Sequence, residues 1–376
     1  MKIGILTFHR ALNYGAFLQC FALKKTVESL GHDVEIIDYW PDAHAQVYAG
    51  FNKTIFKHCN LIGKLNMLID WIFSYKKRLS RRKSFEKLWA EQLGLTIIQT
   101  LLTHNELRNV KKDIVLYGSD QIWWKSTIIG YEGFDDAYWG QHIPDMVRKV
   151  SYGASMGIIN LNEDDKKDIR KWLSSFSAVS VRESGLKLTL NSFCNIPITT
   201  VLDPTLLLSK EEWSKYSIAP RVDVPYILLY NLMSSPAAIE MATTLSKKHG
   251  YKVVEITASV DYKKHGKNIV QTASPFEFIG WIKKAAFVVT SSFHGTAFSI
   301  IFERPFVSMG MKNNSGRVAS LLKSLCIEDR LVSGINISEN HIDYTEDHID
   351  YTNVKDLLSH EREKSLTFLN HSILKN

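Results

Sequence analysis

The sequence lacks the patterns of secreted, membrane-spanning and disulfide-bonded proteins. Only four cysteines occur in 376 residues, too far apart for a disulfide framework or a zinc motif. The apolar stretch at the amino terminus breaks off at His9, too early for a secretory signal. The longest run without Asp, Glu, Lys or Arg, 285–302, has polar residues and a glycine at its centre, which favours a strand followed by a helix over a membrane span. We therefore expect a cytoplasmic protein with reduced thiols.

The composition is that of a globular protein with an excess of basic residues. Hydrophobic residues make up 45% of the chain and charged residues 23%, with no low-complexity tract. Lys and Arg outnumber Asp and Glu by 46 to 39, which gives a net charge of +7. This excess favours anionic partners, and a phosphorylated metabolite, an acidic glycan, a membrane surface and nucleic acid all qualify.

The first 40 residues predict the start of a doubly wound parallel sheet. KIGILTF (2–8) is short and almost entirely apolar, as in a buried parallel strand. A helix over about 16–30 and a second strand, DVEIIDY (33–39), complete a βαβ unit. The loop after the first strand has no G-x-G-x-x-G pattern, which disfavours a nicotinamide or flavin dinucleotide.

Strands and helices alternate again in the second half, so the predicted fold class is α/β with two Rossmann-like domains facing each other across a cleft. The first domain is predicted over 1–205, with a helical basic insertion at about 55–93. The carboxy-terminal helix, 353–376, is expected to complete it. The second domain is predicted over 206–352.

The insertion combines apolar residues at helical spacing with the basic run KKRLSRRK (76–83). Two interpretations remain open. The segment is either a core-packed helix with a solvated charged face, or a peripheral contact with an anionic membrane surface or an acidic glycan.

Four separated motifs, in this order, resemble those of the polysaccharide pyruvyl transferase family. They are FHRALNYGAFLQCFAL (8–23), GSDQIWW (118–124), VSVRESG with VLDPTLLL (179–208), and TSSFHGTAFSIIFERPF (290–306). The resemblance implies a fold similar to the GT-B glycosyltransferases and phosphoenolpyruvate as donor substrate. It also implies transfer of the pyruvyl group onto two hydroxyls of a sugar as a cyclic ketal. No redox cofactor and no nucleic acid partner are implied.

The fourth motif lies in the second predicted domain and is expected to bind the phosphate of the donor, so that domain is predicted to be the donor-binding one. His294 comes at the end of a strand and just before a predicted helix near Gly295, and helix amino termini offer unpaired N–H groups to anions. We assign His294 as phosphate ligand and candidate general acid. Additional donor contacts are expected from Ser291, Ser292, Gly295 and Thr296.

Two arginines and one loop are further candidates for donor binding. Arg182 ends an apolar strand, where a guanidinium is costly unless it faces a wet cleft or pairs with an acid such as Glu183 on the surface. The resemblance places Arg182 at the donor. Arg317 matches a family position less well, because Gly316 interrupts the usual pattern. Asn13 and Gly15 follow the first strand and are predicted to contact the donor.

The acceptor sugar is expected near GSDQIWW. Asp120 is the candidate base, and Gln121 with Trp123 is expected to bind the acceptor, since sugar sites combine carboxylates with aromatic platforms. Asp203 is expected to be architectural, as a turn or helix cap. No carboxylate pair for a metal is evident, and metal dependence and oligomeric state stay open. A nucleotide-sugar glycosyltransferase and a noncatalytic scaffold of polysaccharide assembly are the alternatives.

Overall fold

The structure is a computed structural model. It describes residues 1–41, 44–45, 53–95, 102–128, 131–232, 235–310, 316–332 and 349–374. Within these ranges the chain forms two fully parallel sheets, each of six strands, with helices packed against them. None of the described helices is long and apolar enough to cross a membrane.

The first sheet is built from the amino-terminal half and has the strand order β2-β1-β3-β4-β5-β6. Its strands are β1 Lys2–Leu6, β2 Asp33–Ile36, β3 Ile114–Tyr117, β4 Arg148–Ala154, β5 Ala178–Val181 and β6 Ile198–Thr200. The order reverses between β1 and β3, and in such sheets ligands bind at the carboxyl ends of the strands beside this reversal.

The second sheet follows the same plan, with the order β12-β11-β10-β7-β8-β9. Its strands are β7 Tyr226–Tyr230, β8 Lys252–Ile256, β9 Ile269–Val270, β10 Phe287–Thr290, β11 Phe306–Met309 and β12 Leu331–Val332. Here the order reverses between β7 and β10, so the loop after β10 lies at the corresponding position.

The α-helices in the described ranges are α1 Tyr14–Ser29, α2 Lys53–His58, α3 Leu61–Leu88, α4 His104–Leu107, α5 Glu163–Leu173, α6 Ser184–Asn191, α7 Lys210–Tyr216, α8 Pro236–His249, α9 Pro275–Lys284, α10 Phe293–Ile301, α11 Gly316–Ser324 and α12 Tyr351–Leu374. The predicted helix over 16–30 corresponds to α1. The helix predicted to follow Gly295 is α10, which begins two residues earlier.

Helix α1 is buried on nearly all sides because it lies between the two halves. Its Tyr14 ring stacks on Phe278 of α9 with centroids 4.6 Å apart, and Phe17 packs edge-on against Phe276 at 5.8 Å. A helix that is apolar all round has no solvent face. The two halves therefore share one continuous hydrophobic core along α1.

Helix α12 crosses back to the first half of the chain. Ser365 accepts a hydrogen bond from the backbone N–H of Leu202 at 2.9 Å, and the Arg362 side chain donates to the carbonyl of Leu206 at 2.8 Å. Val354, Leu358 and Leu369 are buried along the same helix. These contacts hold the carboxy terminus against the loop that follows β6.

Candidate functional site

Strand ends from both sheets bring polar residues together beyond α1. Asp120 follows β3 and Arg182 follows β5 of the first sheet, whereas His294 lies in the first turn of α10, after β10 of the second sheet. The loop after β6 adds Asp203. A parallel sheet presents all its carboxyl ends at one edge, so this convergence follows from the topology of the two halves.

The side chain of Asp203 joins the two halves of this group. Its Oδ2 accepts a hydrogen bond from Arg182 Nη1, and His294 Nε2 lies 3.8 Å from the same oxygen. Thr205 donates to Oδ1 through its hydroxyl at 2.7 Å and its backbone N–H at 3.0 Å. Burial alone would raise the pKa of Asp203, but the Arg182 guanidinium and the Thr205 bonds more than offset it and hold the pKa below its usual value. Asp203 is therefore ionised and fixes the guanidinium in place.

Arg182 is buried, but only some of its guanidinium N–H groups have hydrogen-bond partners. Its Nε and Nη2 have no hydrogen-bond partner among the described residues, although Nη2 lies 3.8 Å from Asp120 Oδ1. The guanidinium lies over the Phe293 ring at 4.6 Å. Burial would lower the pKa of Arg182, but Asp203, Glu183 and Asp120 raise it. A buried cation with open donors suits an anionic ligand with several oxygens.

The His294 imidazole is buried and neutral. Burial lowers its pKa, with Arg182 and Arg317 acting in the same direction against Asp203 and Asp120. Its Nε2 has no hydrogen-bond partner in the described part of the chain. The ring lies against Gly15 of α1, where an added Cβ would come within 2.0 Å of Nδ1. Gly15 thus makes room for the imidazole.

Glu183 does not fit the alternative interpretation of the sequence, in which it pairs with Arg182 on the surface. It is buried, Ser155 donates a hydrogen bond to its Oε1, and its Oε2 has no such partner within the described ranges. The main ion pair of Arg182 is with Asp203 instead, since Arg182 Nε is 3.9 Å from Glu183 Oε1. Burial raises the pKa of Glu183, although Arg182 and Ser155 lower it. Such a carboxyl group keeps its proton to a higher pH than an exposed glutamate does.

Arg317 lies beside the same group. Together with Arg182, Asp203 and Phe293 it lines a cavity of about 50 Å³. With Glu183 it also lines a second cavity of about 220 Å³. Burial lowers the pKa of Arg317 and the nearby Arg182 lowers it further, which indicates two guanidinium groups close to one another. His294 lines neither cavity, and its link to the group is through Asp203.

The hydroxyls predicted to bind the donor are engaged within the protein. Ser292 caps α10 by accepting from the N–H of Gly295 at 3.3 Å, and Ser291 donates to Asn231 at 3.2 Å. Thr296 is fully buried and shares a 2.6 Å hydrogen bond with Ser308. The Thr296 hydroxyl, predicted to contact the donor, thus has its hydrogen-bond partner inside the protein.

Gly295 and Asn13, both predicted to contact the donor, make contacts within their own helix or with the neighbouring strand. Gly295 is buried against Thr290, whose Oγ1 would lie 2.3 Å from an added Cβ. Its role is thus to let α10 start close to β10. Asn13 caps α1, and its Oδ1 accepts from the N–H groups of Gly15 and Ala16 at 2.9 and 3.3 Å.

The structure corrects the assignment of Trp123 as an acceptor platform. Trp123 is completely buried, stacks on Trp139 at 4.4 Å and donates its indole N–H to the Tyr138 carbonyl. Its neighbour Trp124 instead lines a large cavity of about 740 Å³. Gln121 lies against Gly157, where a Cβ would come within 2.1 Å of its Nε2.

The large cavity is rich in aromatic and acidic side chains. Trp40, Trp124 and Tyr131 line it together with Asp135 and other residues of the first half. His44, also in its wall, is affected electrostatically by both Asp135 and Asp120. Burial lowers the pKa of His44 to about 4 despite these two carboxylates. Ile122 and Trp124 also line the cavity, so it lies close to Asp120 in the chain.

One cluster in the described part of the chain has ligand types suited to a metal ion. His104, Asp136 and His142 place one ligand atom each within 4.8 Å of one another. The two imidazole rings are stacked 4.4 Å apart and tilted by only 7°, so their nitrogens cannot both point at one ion without ring rotation. His142 already lies 2.8 Å from Asp136. The cluster is separate from the residues around Asp203.

Asp203 and Glu183 are the two residues that the sequence reasoning undervalued. Both were visible as acids within a few residues of a predicted strand end, beside Arg182 or in the LDPT motif. Their burial, which gives each its altered pKa, depends on contacts with distant residues and leaves no signal in the local sequence.

Comparisons with known proteins agree with this architecture. The UDP-GlcNAc 2-epimerase from Neisseria meningitidis superposes with a TM-score of 0.52 at 10% identity, over 100% of both chains. The UDP-GlcNAc 2-epimerase from Methanocaldococcus jannaschii gives 0.50 at 12% identity, over 99% of this chain and 100% of the other. The glycosyltransferase SnogD from Streptomyces nogalater gives 0.48 at 10% identity, over 99% of each chain. No curated protein matches the chain.

Two parallel Rossmann-like halves with a buried arginine, histidine and carboxylate group between them define a two-domain α/β protein of the GT-B-like class, and this confirms the predicted fold class. The model of the polysaccharide pyruvyl transferase family matches residues 13–313. The chain belongs to that family, as its motifs predicted, and by this membership it is a transferase.

Proposed function

We propose that this protein transfers the pyruvyl group of phosphoenolpyruvate onto two hydroxyls of a sugar, forming a cyclic ketal. The sugar would belong to a surface or capsular polysaccharide or its lipid-linked precursor. The observation that carries the proposal is the convergence of Arg182 and His294, from separate sheets, on one oxygen of Asp203. Such a pair, held rigidly and short of hydrogen-bond partners, suits a small polyanion.

The donor would be held by the two guanidinium groups. Arg182 offers Nε and Nη2, and Arg317 shares its small cavity. Arg317, but not Arg182, also lines the cavity of about 220 Å³, whose volume suits a three-carbon phosphate ester. Because three carboxyl groups lie close by, an anionic donor would bind best with Glu183 protonated, as its raised pKa favours.

The reaction requires one proton on the methylene carbon and one on the departing phosphate. The first sugar hydroxyl attacks the central carbon, the bond from that carbon to the phosphate oxygen breaks, and the second hydroxyl closes the ring. The two hydroxyl protons balance the methyl group and the hydrogen phosphate that are formed. His294 is neutral in the free protein, and the charge of a bound donor would raise its pKa so that it can act as general acid. Glu183 is a second candidate source of the proton.

The acceptor would lie on the side of Asp120, which we assign as its base. Gln121 is next to Asp120, and the aromatic cavity with Trp124 extends from this point into the first half. Aromatic faces and carboxylates together suit a sugar. We propose that the reaction takes place in the cytoplasm, at the inner face of the membrane, where lipid-linked sugars are available.

The test is incubation with phosphoenolpyruvate and a panel of oligosaccharides, with phosphate release and NMR of the product as readouts. We expect His294→Ala and Arg182→Ala each to lower turnover by about 10²-fold or more. Exposed residues of the same types provide the controls His265→Ala and Arg82→Ala, which should retain full turnover. Full turnover in both site variants contradicts the assignment.

A nucleotide-sugar glycosyltransferase is the second candidate, because two neighbours of similar fold are UDP-GlcNAc 2-epimerases. In that case a nucleotide would be released from sugar nucleotides, and phosphoenolpyruvate would give no phosphate. A noncatalytic scaffold would give neither product.

A further inference from the structure

Helix α3 exposes its apolar residues to solvent. Its buried residues are Ser74, at the middle of the helix, and Arg81, Phe85 and Leu88 in its second half. The first half carries large apolar side chains that are mostly accessible, including Leu61 at 85%, Ile62 at 72% and Phe73 at 71%. Leu65, Leu68, Trp71 and Ile72 are further exposed side chains of the first half, and Tyr75 and Leu79 are exposed in the second half. An exposed apolar patch of this extent marks an interaction surface.

These residues form a wide face on the side of α3 that points away from the protein. Leu61, Leu65, Leu68 and Ile72 follow the 4-3-4 spacing of one helix face, and Ile62 and Phe73 widen it. At 100° per residue this face lies opposite Arg81 and Leu88, which are buried. The resulting apolar arc is broader than the narrow seam of a coiled coil.

The direction of α3 is fixed by buried arginine contacts with the body of the protein. Arg81 donates to the carbonyls of Thr257 and Gln271 at 3.1 Å and of Ala258 at 2.7 Å, and it lies over the Tyr14 ring at 4.6 Å. Arg78 pairs with Asp70 at 2.6 Å. These two arginines of the basic run are thus engaged by the protein itself.

The remaining charges around the apolar face are positive. Between 61 and 83 the only acid is Asp70, which is paired with Arg78. The accessible cations are Lys64, Lys76, Lys77, Lys83 and Arg82, the last of which is paired with Glu86 outside this segment. A symmetric contact with a second copy would bring these cations against their own equivalents, whereas an anionic lipid surface complements them.

We infer that α3 docks this protein on an anionic lipid bilayer. Its apolar face enters the boundary between headgroups and acyl chains, to a depth of about 5 to 10 Å, while the cations contact phosphate headgroups. Lipid binding by α3 does not depend on pyruvyl transfer, so a vesicle assay tests it separately from any assay of the reaction. Since Arg81 fixes α3 beside Tyr14 and the amino terminus of α1, docking would place the proposed active site close to the membrane surface.

The experiment measures retention of the full chain on vesicles of phosphatidylglycerol and phosphatidylcholine, with pure phosphatidylcholine vesicles alongside. We expect retention on the mixed vesicles that falls with added salt. An apolar variant, Leu65→Asp with Ile72→Asp and Phe73→Asp, should lose retention, whereas Leu188→Asp, at a residue 71% exposed elsewhere, should keep it. A charge variant with Lys76, Lys77, Arg82 and Lys83 changed to Gln should bind more weakly by about fivefold per cation at low salt.

Two outcomes overturn the inference. One is equal retention of the wild type and the apolar variant on the mixed vesicles. The other is a lipid-free dimer that the apolar variant converts to monomer, which would make this face a contact between two copies. Hydrogen exchange of α3 and the catalytic readout with a soluble acceptor should be unchanged in the charge variant, which excludes misfolding as the cause of lost binding.

Discussion

Gly15→Ala tests the placement of His294 without altering any group proposed to react. A Cβ at Gly15 would lie 2.0 Å from His294 Nδ1, 2.4 Å from Cε1 and 2.5 Å from Cγ. Normal contacts between such atoms are about 3.5 to 4.0 Å, so one side must move by about 1.5 to 2 Å. The Asn13 cap and the stacking of Tyr14 on Phe278 hold the start of α1, and therefore the imidazole moves.

A displacement of this size has a large expected effect on catalysis. A shift of about 1 Å in a catalytic group can lower the rate by on the order of 10²-fold. Alanine is also a better helix former than glycine by about 1 kcal/mol, so a loss of activity would not come from weakening α1. The overpacking should lower the free energy of unfolding by about 1 to 3 kcal/mol.

The measurement is phosphate release from phosphoenolpyruvate with an acceptor, supported by calorimetric titration of the donor. Gly15→Ala is compared with wild type, and again in a His294→Ala background, where the new methyl group has room. We expect a loss of about 10²-fold in the first comparison and little further loss in the second. Equal losses in both backgrounds, or a fully active Gly15→Ala protein, would refute the proposed contact.

Three further substitutions test the charges that the fold buries. Burial raises the pKa of Glu183, so the folded protein opposes its ionisation and loses stability as the pH rises from the ordinary glutamate pKa to the raised value. Glu183→Gln should therefore increase the free energy of unfolding at neutral pH and leave it nearly unchanged in acid; a constant difference would contradict the raised pKa. Asp203→Asn removes the partner of buried Arg182 and should destabilise the protein by about 3 to 5 kcal/mol in urea denaturation, whereas unchanged stability would show that the ion pair is dispensable. Arg81→Met should destabilise by about 3 kcal/mol through lost bonds to carbonyls, while the exposed control Arg82→Met should have little effect; equal stability of the two variants would argue against the buried contacts of α3.

Individual site residues were predictable where their chemistry is tied to a local pattern. His294 and Arg182 follow short apolar strands, and a strand end in an α/β fold is recognisable from hydrophobic runs and polar punctuation. Thr296 and Trp123 have equally suggestive neighbours, yet both are fully buried. Distant residues that pack against a turn or helix decide which of its sides faces the core. The local sequence does not show which residues these are.

Helix α3 likewise has one property that was predictable from the sequence and one that was not. Its helical periodicity was evident, and two interpretations of its basic run were open. The helix turned out to bury Arg81 and to expose Leu61, because the carbonyls of Thr257, Ala258 and Gln271 accept from the guanidinium. Residues almost 200 positions away thus decided which face is covered.

The sequence by itself determined the alternation of strands and helices, the family and the identity of the polar groups at the strand ends, because these depend on residue types at short spacing. Only the tertiary structure decided that Asp203 joins Arg182 to His294, that Glu183 is buried, and that Gly15 makes room for an imidazole from the other sheet. Burial and distance are properties of the packed chain, and they set the pKa values and contacts on which the proposed chemistry depends.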